Sequence, residues 1–402
     1  MILGLSFLVL TQCTSAPEIS QWRGPNRDGI YPEKNLLKEW PAEGPELLWK
    51  YEELGVGHSS AAVTSDKVYT SGTLDSITYI FSFNLEGELL WKKPLGKEWM
   101  TSFPGAHSTP LIYDEYGYQL TSLGVLYCFS SQTGDIIWER DLLNEFDGKN
   151  IMHGMTENLL IDSEKIFCTP GGEKSNVIAF NRFSGETIWE SPGNGQLSSD
   201  CSPILIQKND EKYFVNLTAN SVIAINVDNG ELAWSYPLSY EWKFHASSPI
   251  YNDGKLFVID GFGAGNFMLD IAEDFSSVNK IWADTTLEDY LTAAVMVDGR
   301  IYGSARYKND KWYCYDFETG EKLFATPIMN AGSIVYADGM FYCYSFNGQL
   351  GLVKATENKF ELISSMQIES KRPDHWAPIV IRDGRMYVRY SKSMFVYNIK
   401  ST

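Results

Sequence analysis

Positive charge is scarce in this 402-residue sequence, and it is nowhere concentrated. Lys and Arg number 33 against 51 Asp and Glu, which gives a formal net charge of −18. The longest basic cluster is the dipeptide Lys371-Arg372. Because nucleic acid repels a chain of this charge unless a basic face is set apart, the composition argues against a nucleic-acid-binding protein.

Long apolar runs are also missing. Only residues 2–10 form such a run, and it is too short to span a bilayer as a helix. It leads into Leu10-Thr11-Gln12-Cys13, which resembles the cleavage box of bacterial lipoproteins, with Cys13 as the lipid-bearing first residue of the mature chain. The sequence therefore predicts a signal peptide over residues 1–13 and an exported protein, periplasmic or anchored to the outer membrane through its acylated N terminus. No Lys or Arg precedes the run and Gln12 stands where a small residue is usual, so an ordinary secretory signal remains an alternative.

Catalytic signatures are absent as well. The chain has no GxSxG, Walker or dinucleotide-binding pattern, and Gly261-Phe-Gly-Ala-Gly265 lies in a strand-rich stretch that predicts a blade loop. It also has no CxxC and no adjacent cysteines. The five cysteines besides Cys13 cannot all pair within one chain, and we predict buried, apolar thiols within strands. These are Cys128, Cys168, Cys201, Cys314 and Cys343.

Aromatic residues and short repeats are abundant. The chain holds 12 Trp, 23 Tyr and 21 Phe beside 33 Gly and 16 Pro, as expected for many short strands joined by tight turns. A strand that closes on an aromatic or apolar residue recurs at a period typical of four-stranded propeller blades. The eight closing positions are Trp49, Trp91, Trp138, Trp189, Trp234, Trp282, Phe324 and Ile363.

Turn signals place the strands within each repeat. Asp-Gly at 253–254, 298–299, 338–339 and 383–384 supplies the positive φ angles of a two-residue hairpin. The last three predicted strands make up a blade that lacks its fourth strand. The strand at 47–51 ends a repeat, but the three strands that should come before it in that repeat are missing. We therefore predict an all-β, eight-bladed propeller of four-stranded antiparallel blades over residues 41–402, after an N-terminal extension at 14–40. The N-terminal strand is expected to complete the C-terminal blade, because closure removes the exposed sheet edges.

The closing motifs resemble those of a known family. Thr133-Gly-Asp-Ile-Ile-Trp138 and Ser184-Gly-Glu-Thr-Ile-Trp189 are similar to the tryptophan-docking repeats of the pyrroloquinoline-quinone (PQQ)-like propellers. The segment Gln21-Trp-Arg-Gly-Pro-Asn-Arg-Asp-Gly-Ile30 looks like the start of exported bacterial members. The resemblance covers nearly the whole mature chain and implies the fold, but a propeller is a scaffold for unrelated functions.

Two groups of this family imply different functions. Quinoprotein dehydrogenases hold PQQ with Ca²⁺, and many have a disulfide between adjacent cysteines against the cofactor. This chain has no such pair, so PQQ is not supported. The propeller lipoprotein of the outer-membrane β-barrel assembly machinery is similar in length, blade count, acylation and lack of a cofactor, which implies envelope protein partners. None of its partner-binding residues is recognisable here.

Histidine is rare, and its placement is uneven. Each of the five lies just before the first strand of a repeat: His58, His107, His153, His245 and His375. Because innermost strands line the channel of a propeller, we expect these loops to converge on one funnel. The alternative is that they are polar loop residues that bond neighbouring backbone.

The funnel residues suggest a binding site. We predict that it binds a small polar ligand such as a saccharide, with His107, His153, His245 and Tyr290 as candidates for acid–base or metal-assisted catalysis. Imidazole and carboxylate groups also suit a divalent metal, although no pair shows HExxH-like spacing. The alternatives are a non-enzymatic interaction scaffold in envelope assembly and a PQQ-dependent oxidoreductase. Further ligand-binding candidates are His58, His375, Asp200, Trp242, Lys243, Arg306 and Trp376.

Overall fold

A computed structural model describes residues 18–239, 241–243, 245–261, 264–287, 293–306, 310–369 and 375–401. All regular elements in these ranges are strands, and no helix there has the length and apolar character of a membrane span. The predicted signal peptide, Cys13 and Tyr290 lie outside the described residues.

The first three strands of the described residues join sheets whose other strands come later in the sequence. They are β1 (Ile19–Ser20), β2 (Ile30–Tyr31) and β3 (Glu46–Tyr51). Blade 1 comprises β4 (Ala62–Val63), β5 (Lys67–Leu74), β6 (Ile77–Asn84) and β7 (Leu89–Lys97). Blade 2 comprises β8 (Leu111–Tyr113), β9 (Tyr116–Leu120), β10 (Val125–Ser130) and β11 (Ile136–Asp141). Blade 3 comprises β12 (Leu160–Asp162), β13 (Lys165–Cys168), β14 (Val177–Asn181) and β15 (Thr187–Ser191).

The next three blades repeat the same order of strands. Blade 4 comprises β16 (Ile204–Lys208), β17 (Glu211–Leu217), β18 (Ser221–Asn226) and β19 (Leu232–Pro237). Blade 5 comprises β20 (Ile250–Asn252), β21 (Lys255–Gly261), β22 (Gly265–Ile271) and β23 (Val278–Asp284). Blade 6 comprises β24 (Val295–Val297), β25 (Arg300–Ala305), β26 (Lys311–Asp316) and β27 (Lys322–Thr326).

The last two blades close the ring. Blade 7 comprises β28 (Gly332–Ala337), β29 (Met340–Ser345), β30 (Gln349–Ala355) and β31 (Phe360–Gln367). Blade 8 comprises β32 (Val380–Arg382), β33 (Arg385–Tyr390) and β34 (Ser393–Asn398), with β3 as its outermost strand. In that pairing Trp49 lies opposite Val396 in antiparallel register. The predicted eight-bladed, four-stranded propeller and its closure by the N-terminal strand are therefore confirmed.

Tryptophan side chains join neighbouring blades as predicted. The indole of Trp138 donates to the carbonyl oxygen of Arg182 at 3.1 Å and covers Gly185 in the next blade. A Cβ atom at Gly185 would lie 2.8 Å from that ring. Trp189 repeats the arrangement and donates to Val227 at 3.0 Å. Each ring thus buries apolar surface between two sheets, and the core consists of layers between consecutive blades.

The molecule has two unlike faces. On the turn face lie the hairpins that join the first two strands of each blade, such as the Asp-Gly turn in which Asp253 and Gly254 have φ angles of 43° and 80°. Both angles are positive, as a primed hairpin turn requires. On the opposite loop face lie the longer loops that precede each innermost strand.

The described part of the predicted extension, residues 18–40, forms an arm on the turn face. Its strand β1 pairs with β8 of blade 2, and its strand β2 pairs in parallel with β28 of blade 7. Five-stranded sheets result in both places. The arm therefore crosses the molecule between two blades that lie far apart in the ring.

Two arginines of the arm reach inside the ring of innermost strands. Arg23 donates to the carbonyl oxygens of Ala293 and Ala294 in blade 6, both at 2.8 Å. Arg27 donates to the carbonyl oxygens that precede the innermost strands of blades 3 and 4, at Asn158, Leu159 and Pro203. Both guanidinium groups are buried, and burial lowers the pKa of Arg27 to about 10, so it stays charged at neutral pH. The arginines thus link blades across the channel.

The five cysteines of the propeller are all buried, and none is in a disulfide. Four lie within strands, as predicted, at positions 128, 168, 314 and 343. Cys201 instead lies in the loop before β16, so its predicted strand position was wrong. That loop crosses the protein interior, where the Cys201 side chain contacts the carbonyl oxygen of Ser247 from the next blade.

Candidate functional site

The loop face brings several of the predicted residues into one cluster. The ring of His58 stacks between His107, at a centroid distance of 5.3 Å, and Trp376, at 4.5 Å. Phe103 then contacts Trp376 at 5.0 Å and His153 at 5.3 Å, edge to face in both cases. These residues come from the loops of blades 8, 1, 2 and 3, so the predicted convergence holds for this part of the ring.

His153 connects the aromatic rings to a carboxylate from the next blade. Its Nδ1 lies 3.0 Å from Oδ2 of Asp200, and the hydroxyl of Thr156 donates to Oδ1 at 3.1 Å. Burial alone would lower the pKa of His153, but the hydrogen bond to Asp200 and its negative charge outweigh burial, so this pKa is raised. The pair therefore favours the protonated imidazole.

His107 fastens a loop. Its Nε2 lies 2.8 Å from the carbonyl oxygen of Phe103, and its Nδ1 lies 3.0 Å from the hydroxyl of Ser122. Burial lowers the pKa of His107 to about 4, so the ring is neutral and has one N–H. Because a carbonyl oxygen can only accept, we assign the proton to Nε2, which leaves Nδ1 to accept from Ser122. Both nitrogens are thus occupied.

His58 and Trp376 each hold an unused polar atom. Nδ1 of His58 and Nε1 of Trp376 are buried and have no hydrogen-bond partner within the described ranges. Burial holds the pKa of His58 well below its usual value, and the neighbouring His107 and Arg389 lower it further. Arg389 is itself buried and donates to Thr70, at 3.0 Å, and to the carbonyl oxygen of Ser71. The buried side of the cluster therefore consists of the neutral imidazole of His58 next to the buried cation Arg389.

His245 and His375 are enclosed by protein. The Nδ1 of His245 lies 2.7 Å from the carbonyl oxygen of Asp260, and burial lowers the pKa of this histidine. His375 is fully buried, stacks on Tyr390 at 4.1 Å and shares a hydrogen bond with the hydroxyl of Tyr344. Both rings pack within or between blades, which matches the alternative that histidines at this position bond neighbouring groups.

The remaining described candidates lie in the loop before blade 5 or in blade 6. Trp242 and Lys243 belong to the loop before blade 5, where Trp242 is 70% exposed. Arg306 follows β25 of blade 6, and its guanidinium lies 5.0 Å from the ring centre of Phe346. Tyr290 is outside the described residues. Within the described ranges, no three His, Cys, Asp or Glu side chains are grouped as a metal ion requires.

Sequence reasoning missed Phe103 and Glu98. Phe103 has a φ of 51° and is 48% exposed. Glu98 is buried and holds the same loop, because its Oε1 accepts the backbone N–H groups of Trp99 and Ser122, each at 2.8 Å. Burial raises the pKa of Glu98. An acidic residue next to Trp99 was visible in the sequence, but the left-handed backbone of Phe103 has no sequence signal.

Solved structures with a similar fold include BamB and quinohemoprotein alcohol dehydrogenase. BamB from Moraxella catarrhalis superposes with a TM-score of 0.61 at 12% identity, over 89% of this chain and 98% of that one. The quinohemoprotein alcohol dehydrogenase from Comamonas testosteroni superposes with a TM-score of 0.68 at 10% identity, over 94% of this chain and 79% of that one. Identities this low establish the fold alone.

A sequence match to a curated protein is more specific but shorter. The outer membrane protein assembly factor BamB of Kangiella koreensis is 25% identical over 154 residues. The matched part spans only 36% of this chain and 36% of that protein. This match alone therefore does not assign the function of the whole Kangiella protein to this chain.

The side chains present do not fit PQQ as the quinoprotein resemblance describes its site. Many of those sites have a disulfide between adjacent cysteines, whereas the five described thiols are free and buried, four of them in strands of four different blades and Cys201 in the loop before blade 4. Burial also raises the pKa of Cys168 and Cys343 well above the usual value, so they remain protonated thiols.

A family model matches a longer part of the chain. The model described as outer membrane protein assembly factor BamB matches residues 76–326, from blade 1 to the last strand of blade 6. This match covers more than half of the chain and includes the loops that carry Phe103, His107, His153 and Asp200. The chain therefore belongs to the family of the outer membrane protein assembly factor BamB.

Proposed function

We propose that this protein is a non-enzymatic scaffold that holds protein partners during outer-membrane protein assembly. The observation that carries the proposal is the family match over residues 76–326. The protein is exported and is held at the outer membrane by a lipid on Cys13. Its partners are other envelope proteins, and no small-molecule turnover is needed for the function.

The geometry of the loop face supports a binding role. His107 bonds its own loop through Nε2 and the turn between β9 and β10 through Nδ1. Asp200 receives hydrogen bonds on both carboxylate oxygens, from His153 and Thr156. These groups hold neighbouring loops of blades 2, 3 and 4 in place. A rigid set of loops on a propeller suits partner binding, because little conformational entropy is lost on association.

A deletion experiment tests the scaffold. We expect deletion of the gene to lower the amounts of several outer-membrane proteins, and Cys13→Ala to reproduce part of that loss by releasing the protein from the membrane. Quantitative mass spectrometry of outer-membrane fractions measures both effects. Unchanged outer-membrane protein amounts in the deletion strain would refute the proposal.

A second candidate function is binding of a small polar ligand such as a saccharide. It rests on the stacked pair His58 and Trp376, whose buried Nδ1 and Nε1 atoms have no partner within the described ranges. Flat rings with adjacent hydrogen-bonding groups suit a sugar. A panel of sugars should then raise the melting temperature of the wild type but not of His58→Ala. No shift with any sugar in the wild type would remove this candidate.

A further inference from the structure

We infer that Met100 and Met152, on the loop face, form the site at which a peroxide modifies this protein, as reversible methionine sulfoxide. The inference goes beyond the scaffold function and does not depend on it. Met100 lies in the loop before blade 2 and is 43% exposed, and Met152 lies in the loop before blade 3 and is 57% exposed. Thioether groups at this exposure are open to a small oxidant from the solvent.

The other methionines of the described residues are shielded by the fold. Met155 belongs to the same loop as Met152 but is 3% exposed, and its Sδ lies against Gly124, where a Cβ atom would be 3.3 Å away. Met366 is partly buried, and its Sδ lies in the same way against Gly44. Met296 is also partly buried. The buried methionines besides Met155 are Met268, Met329, Met340, Met386 and Met394.

The cysteines, which a peroxide would otherwise attack first, are closed to it. Burial raises the pKa of Cys128 and Cys201 to about 12 and that of Cys314 to about 11. It raises the pKa of Cys168 and Cys343 well above the usual value. Because the thiolate is the reactive form, these buried, protonated thiols do not compete. A thioether has no proton to lose, so its reaction depends on access.

The two exposed methionines stand on loops that contact each other. The hydroxyl of Ser102, in the loop of Met100, donates to the carbonyl oxygen of Met152. Phe103 then contacts the ring of His153 edge to face at 5.3 Å. Sulfoxide formation at both positions therefore alters one part of the loop face rather than two separate places.

The modification needs only hydrogen peroxide as a co-reactant. A lone pair of the methionine sulfur attacks one peroxide oxygen, the S–O bond forms and the O–O bond breaks. The sulfur loses two electrons, and the departing hydroxide takes the proton from the transferred oxygen and leaves as water. A dithiol reductant reverses the step, because two thiols supply two electrons and become a disulfide while the oxygen leaves as water.

The modification changes the surface and leaves the core as it is. In the part of the chain that the structure describes, neither Met100 nor Met152 belongs to an apolar core cluster. A sulfoxide is polar, so two exposed apolar side chains become polar ones. We therefore expect less apolar surface on the loop face and an unchanged melting temperature.

Peroxide labelling of the full folded chain, followed by trypsin and tandem mass spectrometry, tests the site. The tryptic peptide 150–165 contains both Met152 and Met155, and the peptide 98–140 contains both Met100 and Cys128. Met152 should be oxidised at least about tenfold faster than Met155, and Met100 should be oxidised while Cys128 is unmodified. In urea Met152 and Met155 should react at similar rates. Similar rates in the folded chain, or a difference that persists in urea, would overturn the inference.

Met100→Leu combined with Met152→Leu tests the effect on the surface. Leucine keeps the apolar volume but has no sulfur, so peroxide should shorten the retention of the wild type on a hydrophobic column and leave that of the double variant unchanged. Met155→Leu is the matched control and should respond as the wild type does. Methionine sulfoxide reductases with dithiothreitol should restore the wild-type retention. Equal peroxide shifts in the wild type and the double variant, or sulfoxides that resist reduction, would refute the assignment.

Discussion

Replacing Arg27 by methionine tests the link that the arm makes across the channel. Methionine keeps much of the side-chain volume but leaves the carbonyl oxygens of Asn158, Leu159 and Pro203 without their donor. Hydrogen bonds to a charged group contribute about 1.5–3 kcal/mol each. Removing a buried charge regains part of its desolvation cost, so we expect a net loss of about 3 kcal/mol in the free energy of unfolding.

The expected change in melting temperature follows from chain length. Unfolding entropy is about 2.1 cal/mol/K per residue, or roughly 0.8 kcal/mol per degree for a chain of this size, so Tm should fall by about 4 °C. Differential scanning calorimetry measures the shift. Arg27→Lys should lie between methionine and the wild type, because a single ammonium cannot reach all three carbonyl oxygens.

Arg382→Met is the matched control for this experiment. The Arg382 side chain is 40% exposed, and it pairs with Glu18 at 3.1 Å and with Asp383 at 3.2 Å. Surface ion pairs contribute about 0–1 kcal/mol, so its Tm should shift by about 1 °C or less. If Arg27→Met and Arg382→Met give the same small shift, the buried arginine does not hold the blades as described.

Three further predictions concern pH, thiols and the contacts between blades. The raised pKa of His153 means that its pair with Asp200 stabilises the fold below about pH 6.5 and loses this effect as pH rises through the folded pKa. Urea unfolding should therefore show a larger loss for Asp200→Asn at pH 5.5 than at pH 9, and an equal loss would contradict the pairing. A thiol reagent should leave the five propeller cysteines unmodified until denaturant is added, since all are buried, and rapid labelling would show that a blade opens. Gly185→Ala should destabilise the chain by about 2–4 kcal/mol, because it adds a Cβ at a φ of 73° against the ring of Trp138, and a neutral effect would refute the docking.

The repeat could be predicted from sequence because its signals are local. Asp253-Gly254 specifies a turn by its own backbone preferences, and Trp138 closes a strand one blade away from the glycine it covers. The closing role of β3 followed from counting strands, since Trp49 had no earlier strands to pair with. The repeat period and the turn residues are thus sufficient to predict the eight-bladed architecture.

The histidine cluster was only partly predictable from sequence, because it depends on the direction in which each imidazole ring points from its loop. Position in the repeat placed His58, His107 and His153 correctly on one face, yet the same position buries His245 and His375 in protein. No sequence rule distinguishes these two outcomes, since burial depends on partners such as Tyr390 from another strand. Arg23 and Arg27 were visible in the sequence as part of a motif, but arginine is ordinarily exposed. Only the fold shows that carbonyl oxygens inside the ring of innermost strands accept their hydrogen bonds.

The arm also fixes which way the protein faces if a lipid is attached. Glu18 is tied to the turn face through Ser65 and Asp114. Four residues separate it from Cys13. The five steps from Cys13 to Glu18 reach about 17 Å in a fully extended chain. An acyl chain on Cys13 would therefore keep the hairpins close to the bilayer on a short tether. The opposite side, with Phe103 at its centre, would point away from the lipid and into the aqueous space.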